Sequence, residues 1–156
     1  MNDLKALSQV AEFHTTFKHP VLADPAIPAK ERAQLRIELL AEELKELQEA
    51  VDDNNIVEIA DALCDLQYVL AGAVLEFGLG QRFKELFDEV HRSNMSKACK
   101  TIAEAEATVQ HYKEKNNVDA YYKEIDGLFL VYRHPDNKTL KSVNYSPADL
   151  KSIVER

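Results

Sequence analysis

Two acidic clusters on neighbouring helical segments, joined by a short polar link, constrain this chain more than any other feature. The first reads Glu42-Glu43-x-x-Glu46; after eleven intervening residues comes Glu58-x-x-Asp61, with Asp65 one turn further on. Carboxylates three or four residues apart share one face of a helix. The link Asp52-Asp53-Asn54-Asn55 is turn-prone and ends on a helix N-cap residue, so the two helices are expected to be antiparallel neighbours. Counted outward from the link, Glu46 and Asp61 lie at equal depth, Glu43 is level with Cys64 and Asp65, and Glu58 sits about a turn nearer the loop. Like charges gathered at one depth repel and raise one another's pKa.

The charge distribution makes the same point. The net charge is −8, and residues 31–65, with eleven acidic and three basic side chains, account for all of it. A solvated acidic helix would produce such a run without any function. The helical wheel argues otherwise. Leu39, Leu40, Leu44, Leu47, Ala50 and Val51 form an apolar arc with Glu43 in its middle and Glu46 at its edge. From Ile56 to Leu75 the next helix is apolar almost all round, which predicts a buried helix. Its main interruptions, Glu58, Asp61 and Asp65, fall within about 60° of one another. Buried carboxylates need a partner or a metal, and no stripe of Lys or Arg on either helix serves them all. A hard divalent cation, Mg²⁺ or Mn²⁺, is the expected counter-charge, with a buried hydrogen-bond network as the rival reading. Acidic residues holding such a metal usually serve phosphate chemistry.

The expected fold class is mainly all-α: an antiparallel helix bundle with a small C-terminal β-hairpin extension. Residues 1–115 are expected to form the helical domain, and residues 116–156 a hairpin plus a short helix packed on it. Leu4 to Phe17 has helical spacing, and Pro20, Pro25 and Pro28 mark the following loop. The next helices are placed at about Lys30 to Val51 and Ile56 to Phe77, the latter ended by Gly78 and Gly80. A fourth, amphipathic helix carries Phe83, Leu86, Phe87 and Val90, and a fifth opens on the capping box Thr101-Ile102-Ala103-Glu104. Asp126-Gly127 between Tyr121–Ile125 and Leu128–Tyr132 predicts a hairpin, with a third short strand near Leu140. Ser146-Pro147 is expected to start a terminal helix.

Other classes are poorly supported. The acidic balance argues against a nucleic-acid backbone as partner. Cys64 and Cys99 imply no disulfide framework, and Cys64 reads as a buried small hydrophobe. The N-terminus has no long apolar run and Leu66 to Leu75 is too short to span a bilayer, so a cytoplasmic setting is expected. His14, His19, His111 and His134 are scattered and read as surface or satisfied histidines. In the donor-rich tract His91 to Lys97, Asn94 and Lys97 could hold phosphate oxygens, or simply form a solvated helix end.

The acidic pattern resembles that of the all-α nucleoside triphosphate pyrophosphohydrolases, the superfamily of MazG-type enzymes and phosphoribosyl-ATP pyrophosphohydrolase. Glu42, Glu43, Glu46, Glu58 and Asp61 match its Glu-Glu-x-x-Glu and Glu-x-x-Asp hallmark. Ser93-Asn94-Met95-Ser96-Lys97 and the run from Asp126-Gly127 to Asp149 are similar to its phosphoribosyl-ATP-pyrophosphohydrolase-like branch. The resemblance implies Mg²⁺ on Glu43, Glu46, Glu58 and Asp61, and hydrolysis between the α and β phosphates to a nucleoside monophosphate and pyrophosphate. By the same resemblance Glu42 would orient or deprotonate the water, Asp65 would assist a second metal or contact the sugar, and Asn94 and Lys97 would bind the leaving pyrophosphate. Base recognition would come from the first helix, through His14 or Phe17, and from a second subunit of a homodimer or homotetramer. Phosphoribosyl-ATP is the alternative substrate. A metal- and nucleotide-sensing module and a purely structural bundle are the non-catalytic alternatives.

Overall fold

A computed structural model of the chain describes residues 4–156. The described residues contain six helices and one hairpin, in two compact units that divide between Phe83 and Lys84. The chain is thus mainly helical with a small C-terminal sheet, as its patterning predicts. Among the described residues, no helix is long and apolar enough to cross a membrane.

The first unit is built on α1 (Ala6–Phe17), α2 (Lys30–Asp52) and α3 (Ile56–Glu76). Asn55 makes the turn between α2 and α3 sharp. Its Oδ1 accepts from the amides of Val57 and Glu58, satisfying two of the donors that a helix start leaves open. α3 ends at Gly78, whose φ of 68° only glycine adopts freely. A Cβ there would stand 1.8 Å from the Asp24 carbonyl oxygen, so the returning loop packs directly on the glycine. α1 crosses α3 over Val10, Ala71 and Leu75.

Two sequence expectations fail here. α3 is not buried along its length: Ala62 and Ala71–Glu76 are, whereas Ile56, Val57, Leu63 and Leu70 are exposed. Three helices cover only one side of the N-terminal half of α3. Cys64 is likewise exposed; it lines a groove of about 380 Å³ with Leu63, Gln67, Tyr68 and Val10, where α1 does not cover it.

The second unit holds α4 (Phe83–Met95, whose first residue is the last of the preceding unit), α5 (Ile102–Asn116), the hairpin β1 (Ala120–Ile125) and β2 (Leu128–Arg133), and α6 (Lys151–Val154). Asp126 and Gly127 both have positive φ, 51° and 78°, the signature of a two-residue I′ turn. Cys99, Ala105, Phe129, Val131 and Leu140 form the core between α5 and the hairpin. Thr139 makes a single bridge to Tyr132 in place of a third strand.

The terminal helix begins later than Ser146-Pro147 suggests. Residues 146–149 are held extended along α4: the Ser146 amide donates to Ser96 Oγ, Arg92 donates to the Pro147 carbonyl, and the Asp149 amide donates to Glu89. Those bonds take the backbone away from a helix, and α6 starts only after Asp149 supplies a side-chain cap to Ser152.

Candidate active site

The antiparallel pairing of α2 and α3 places equal distances from the turn side by side. Glu43 feels the charges of Asp65, Glu46, Glu42 and Asp61, so five of the acids singled out in the sequence gather on one face of this helix pair. Burial first, then Asp65 and the other carboxylates, pushes the Glu43 carboxyl above the usual carboxylate range. Glu43 is half-buried, and its Oε2 is buried with no hydrogen-bond partner. Its neighbours Glu42, Glu46, Asp61 and Asp65 are exposed. Glu58 stands in the first turn of α3, exposed, about one turn before Asp61 on the same stripe.

This donor set is all oxygen and carries an orphaned buried carboxylate atom, which is the chemistry a hard divalent cation requires. Among the described residues, however, no three acidic, His or Cys side chains stand close enough together to form a finished coordination shell. The acids share a face and a depth; they are not drawn in around one point.

Asn94 and Lys97 belong to the second unit. Asn94 lies in the last turn of α4, and Lys97 Nζ donates to its Oδ1 at 2.7 Å. Beside them Ser93 is buried against the Tyr145 hydroxyl at 2.8 Å, and Ser96 is tied to the Ser93 carbonyl.

Sequence reasoning missed a second layer on the same two helices. Glu76, fully buried, binds Arg32 through both carboxylate oxygens and Arg36 through one, at 2.6 Å. It is buried at the end of the longest apolar run of α3 and would be costly there without these partners. A signal was available. Arg32 and Glu76, Arg36 and Gly72, and Glu43 and Asp65 are each equally far from the turn. Gly72 keeps the layer tight, since a Cβ there would meet Arg36 Nη1 at 2.7 Å and His14 Nε2 at 3.1 Å. His14 is the satisfied histidine its setting suggested: it is buried, and Nδ1 donates to the Pro20 carbonyl at 2.9 Å. That burial removes it from any role in reading a base, whereas Phe17 is exposed.

Comparison with known proteins bears directly on this helix pair. The family model described as phosphoribosyl-ATP pyrophosphohydrolase matches residues 10–94, over half of the chain, and spans both acidic clusters. An uncharacterized protein of Acanthamoeba polyphaga mimivirus is 24% identical, the match covering 94% of each chain.

Proposed function

This chain belongs to the phosphoribosyl-ATP pyrophosphohydrolase family, and from that premise we propose that it hydrolyses the anhydride between the α and β phosphates of a nucleotide, releasing pyrophosphate. Phosphoribosyl-ATP is the substrate the family match favours over a simple nucleoside triphosphate. The observation that carries the proposal is Glu43: a carboxylate pushed towards protonation by burial and four acidic neighbours, with one oxygen buried and unpartnered.

In this reading Glu43, Glu46, Glu58 and Asp61 hold Mg²⁺, or Mn²⁺ in its place. The cation, when bound, neutralises the acids and polarises the phosphoryl oxygens. Glu42, exposed at the edge of the stripe, orients the attacking water and takes its proton. Asp65, level with Glu43, positions the sugar or a second cation. Asn94 and Lys97 bind the departing pyrophosphate, Lys97 as a point charge with donors to spare beyond its bond to Asn94. The exposed apolar residues of α3, Ile56, Val57, Leu63 and Leu70, favour a homodimer or homotetramer.

The test is pyrophosphate release from phosphoribosyl-ATP and from canonical and modified nucleoside triphosphates, with Mg²⁺, Mn²⁺ or EDTA. Metal-dependent pyrophosphate release abolished in Glu42→Gln, with metal binding retained, supports the proposal. Orthophosphate release sinks it in favour of hydrolysis at another phosphate, and stoichiometric metal binding without turnover sinks it in favour of a sensing module.

A further inference from the structure

The stretch that carries Asn94 and Lys97 is not a continuous helix. α4 ends at Met95, and the turns beyond it rest on long bonds: the Lys97 amide donates to the Asn94 carbonyl at 3.2 Å and the Ala98 amide to the Met95 carbonyl at 3.3 Å. Bonds of that length and spacing hold a backbone weakly. Lys97 is therefore placed by what is fixed on either side of it. Downstream, Cys99 exchanges two backbone bonds with Phe129, each of 2.9 Å. Upstream, Glu89, Arg92, Ser93 and Ser96 fall at i, i+3, i+4 and i+7, one stripe of α4 and its continuation. Every one of them bonds to the segment 145–149. Asn94 stands about 100° round the helix from Ser93, off that stripe and exposed.

Tyr145 is at the centre of these contacts. Its hydroxyl pairs with Ser93 Oγ at 2.8 Å, and Ser93 is 3% exposed, so water does not compete for the bond. Lys141 Nζ stands 4.5 Å over the other part of the side chain, the ring. The next residue continues the pattern: the Ser146 amide donates to Ser96 Oγ at 2.9 Å, and that hydroxyl donates to the Ser93 carbonyl at 2.7 Å. Each of these two consecutive residues grips one serine. Ser93 directly precedes Asn94, and Ser96 directly precedes Lys97.

We propose that Tyr145 and Ser146 are positioning residues: acting through Ser93 and Ser96, they hold Asn94 and Lys97 ready for the oxygens of a pyrophosphate group. This inference rests on the function proposed above and adds to it residues that touch neither substrate nor metal. The physical argument is preorganisation. A lysine loses rotamer freedom when it binds phosphate, and a weakly wound backbone loses freedom as well. Bonds already made in the free protein remove the second loss, so they are felt as affinity. A segment that only packed the C-terminus on α4 could do so through apolar contact. Here the polar bonds gather on residues 89–96, and the buried one lies immediately before Asn94.

The test is pyrophosphate binding to the full chain, by calorimetry in Mg²⁺, at a temperature where every variant is folded by circular dichroism. Tyr145→Phe keeps the ring and removes the hydroxyl, and is expected to weaken pyrophosphate about threefold to tenfold. Ser93→Ala should do the same. The double variant separates positioning from stability. Tyr145→Phe leaves Ser93 Oγ buried without its partner, and adding Ser93→Ala removes that orphan. The double variant is therefore expected to melt higher than Tyr145→Phe and to bind pyrophosphate no better. Affinity that recovers together with the melting temperature, or a Tyr145→Phe protein within about twofold of wild type, would overturn the proposal. Lys97→Ala is the reference: unchanged affinity there means that the tract binds no phosphate, and the positioning role falls with it. Pyrophosphate release is assayed separately. Binding that responds to Tyr145→Phe in a protein without turnover upholds the positioning role and defeats only the hydrolytic reading.

Discussion

Arg36 Nη2 lies 2.6 Å from Glu76 Oε1, and both side chains are buried. Arg32 completes the group from the solvent side, its side chain 30% exposed. Removing the acid leaves two guanidinium groups facing one another with no counter-charge. Glu76→Gln is therefore expected to destabilise the first unit by about 3 kcal/mol, and Arg32→Ala by clearly less. Urea midpoints of the two variants check this; equal losses would contradict the burial argument.

Gly72→Ala tests the same layer without touching a charge. Alanine favours a helix by about 1 kcal/mol over glycine. Here its Cβ would stand 2.7 Å from Arg36 Nη1, forcing a buried, ion-paired guanidinium to move. The expected result is a net loss of about 1–3 kcal/mol in thermal or urea denaturation, opposite in sign to the helix propensity.

Glu43→Gln should separate stability from metal binding. Burial and the surrounding carboxylates disfavour the ionised side chain, so a neutral amide of the same shape relieves a cost that the wild type carries at neutral pH. In EDTA the variant is expected to melt higher than wild type. In Mg²⁺ the order should reverse, because only the wild type gains from a bound cation. Scanning calorimetry under both conditions decides it.

The second unit has its own pH dependence. Arg92 donates to both oxygens of Glu89, at 2.7 and 2.8 Å, and the Asp149 amide adds a third bond at 2.8 Å. The Arg92 guanidinium first, then that amide, holds the Glu89 carboxyl down to about 2. A depressed pKa contributes stability above the ordinary carboxylate value near 4.5 that is lost as pH falls through about 2. Glu89→Gln should therefore flatten the stability of this unit between those limits. Amide exchange at Asp149 and through α6 would register the difference; Asp136, held near 2 by Arg133, leaves a residual slope in both proteins.

At Gly127 the φ is 78° and a Cβ would meet nothing within 4 Å. Gly127→Ala is accordingly a purely conformational change, expected to cost about 1–2 kcal/mol of hairpin stability. A smaller loss would mean that the turn relaxes to another type, visible as altered amide shifts at Ile125 and Leu128.

The parts of this fold that local chemistry dictates were legible in the sequence. Asn55 announces the start of α3, Gly78 its end, and Asp126-Gly127 the hairpin. The level pairing of Glu43 with Asp65 followed from counting away from the turn. What could not be read depended on partners distant in the chain. Ser146-Pro147 has the chemistry of a helix start, but Ser96, Arg92 and Glu89 take its backbone bonds first. Cys64 lies in an apolar run whose pattern does not say which side α1 covers. Glu76 stands at the end of an apolar run that names no partner for it, and only the mirror count to Arg32 does.

The two layers, acids at one level and the Arg32–Glu76–Arg36 group two turns away, make α2 and α3 a single reading frame. One residue added between Arg36 and Glu43 would rotate one layer by about 100° relative to the other and leave buried charge facing apolar side chains. The link at residues 53–55 can change length at little cost, because both layers then shift together. Length variation in this helix pair is therefore expected at the hairpin bend and beyond Glu76, and the stretches from Arg32 to Glu46 and from Asp61 to Glu76 should keep their length wherever the site is kept.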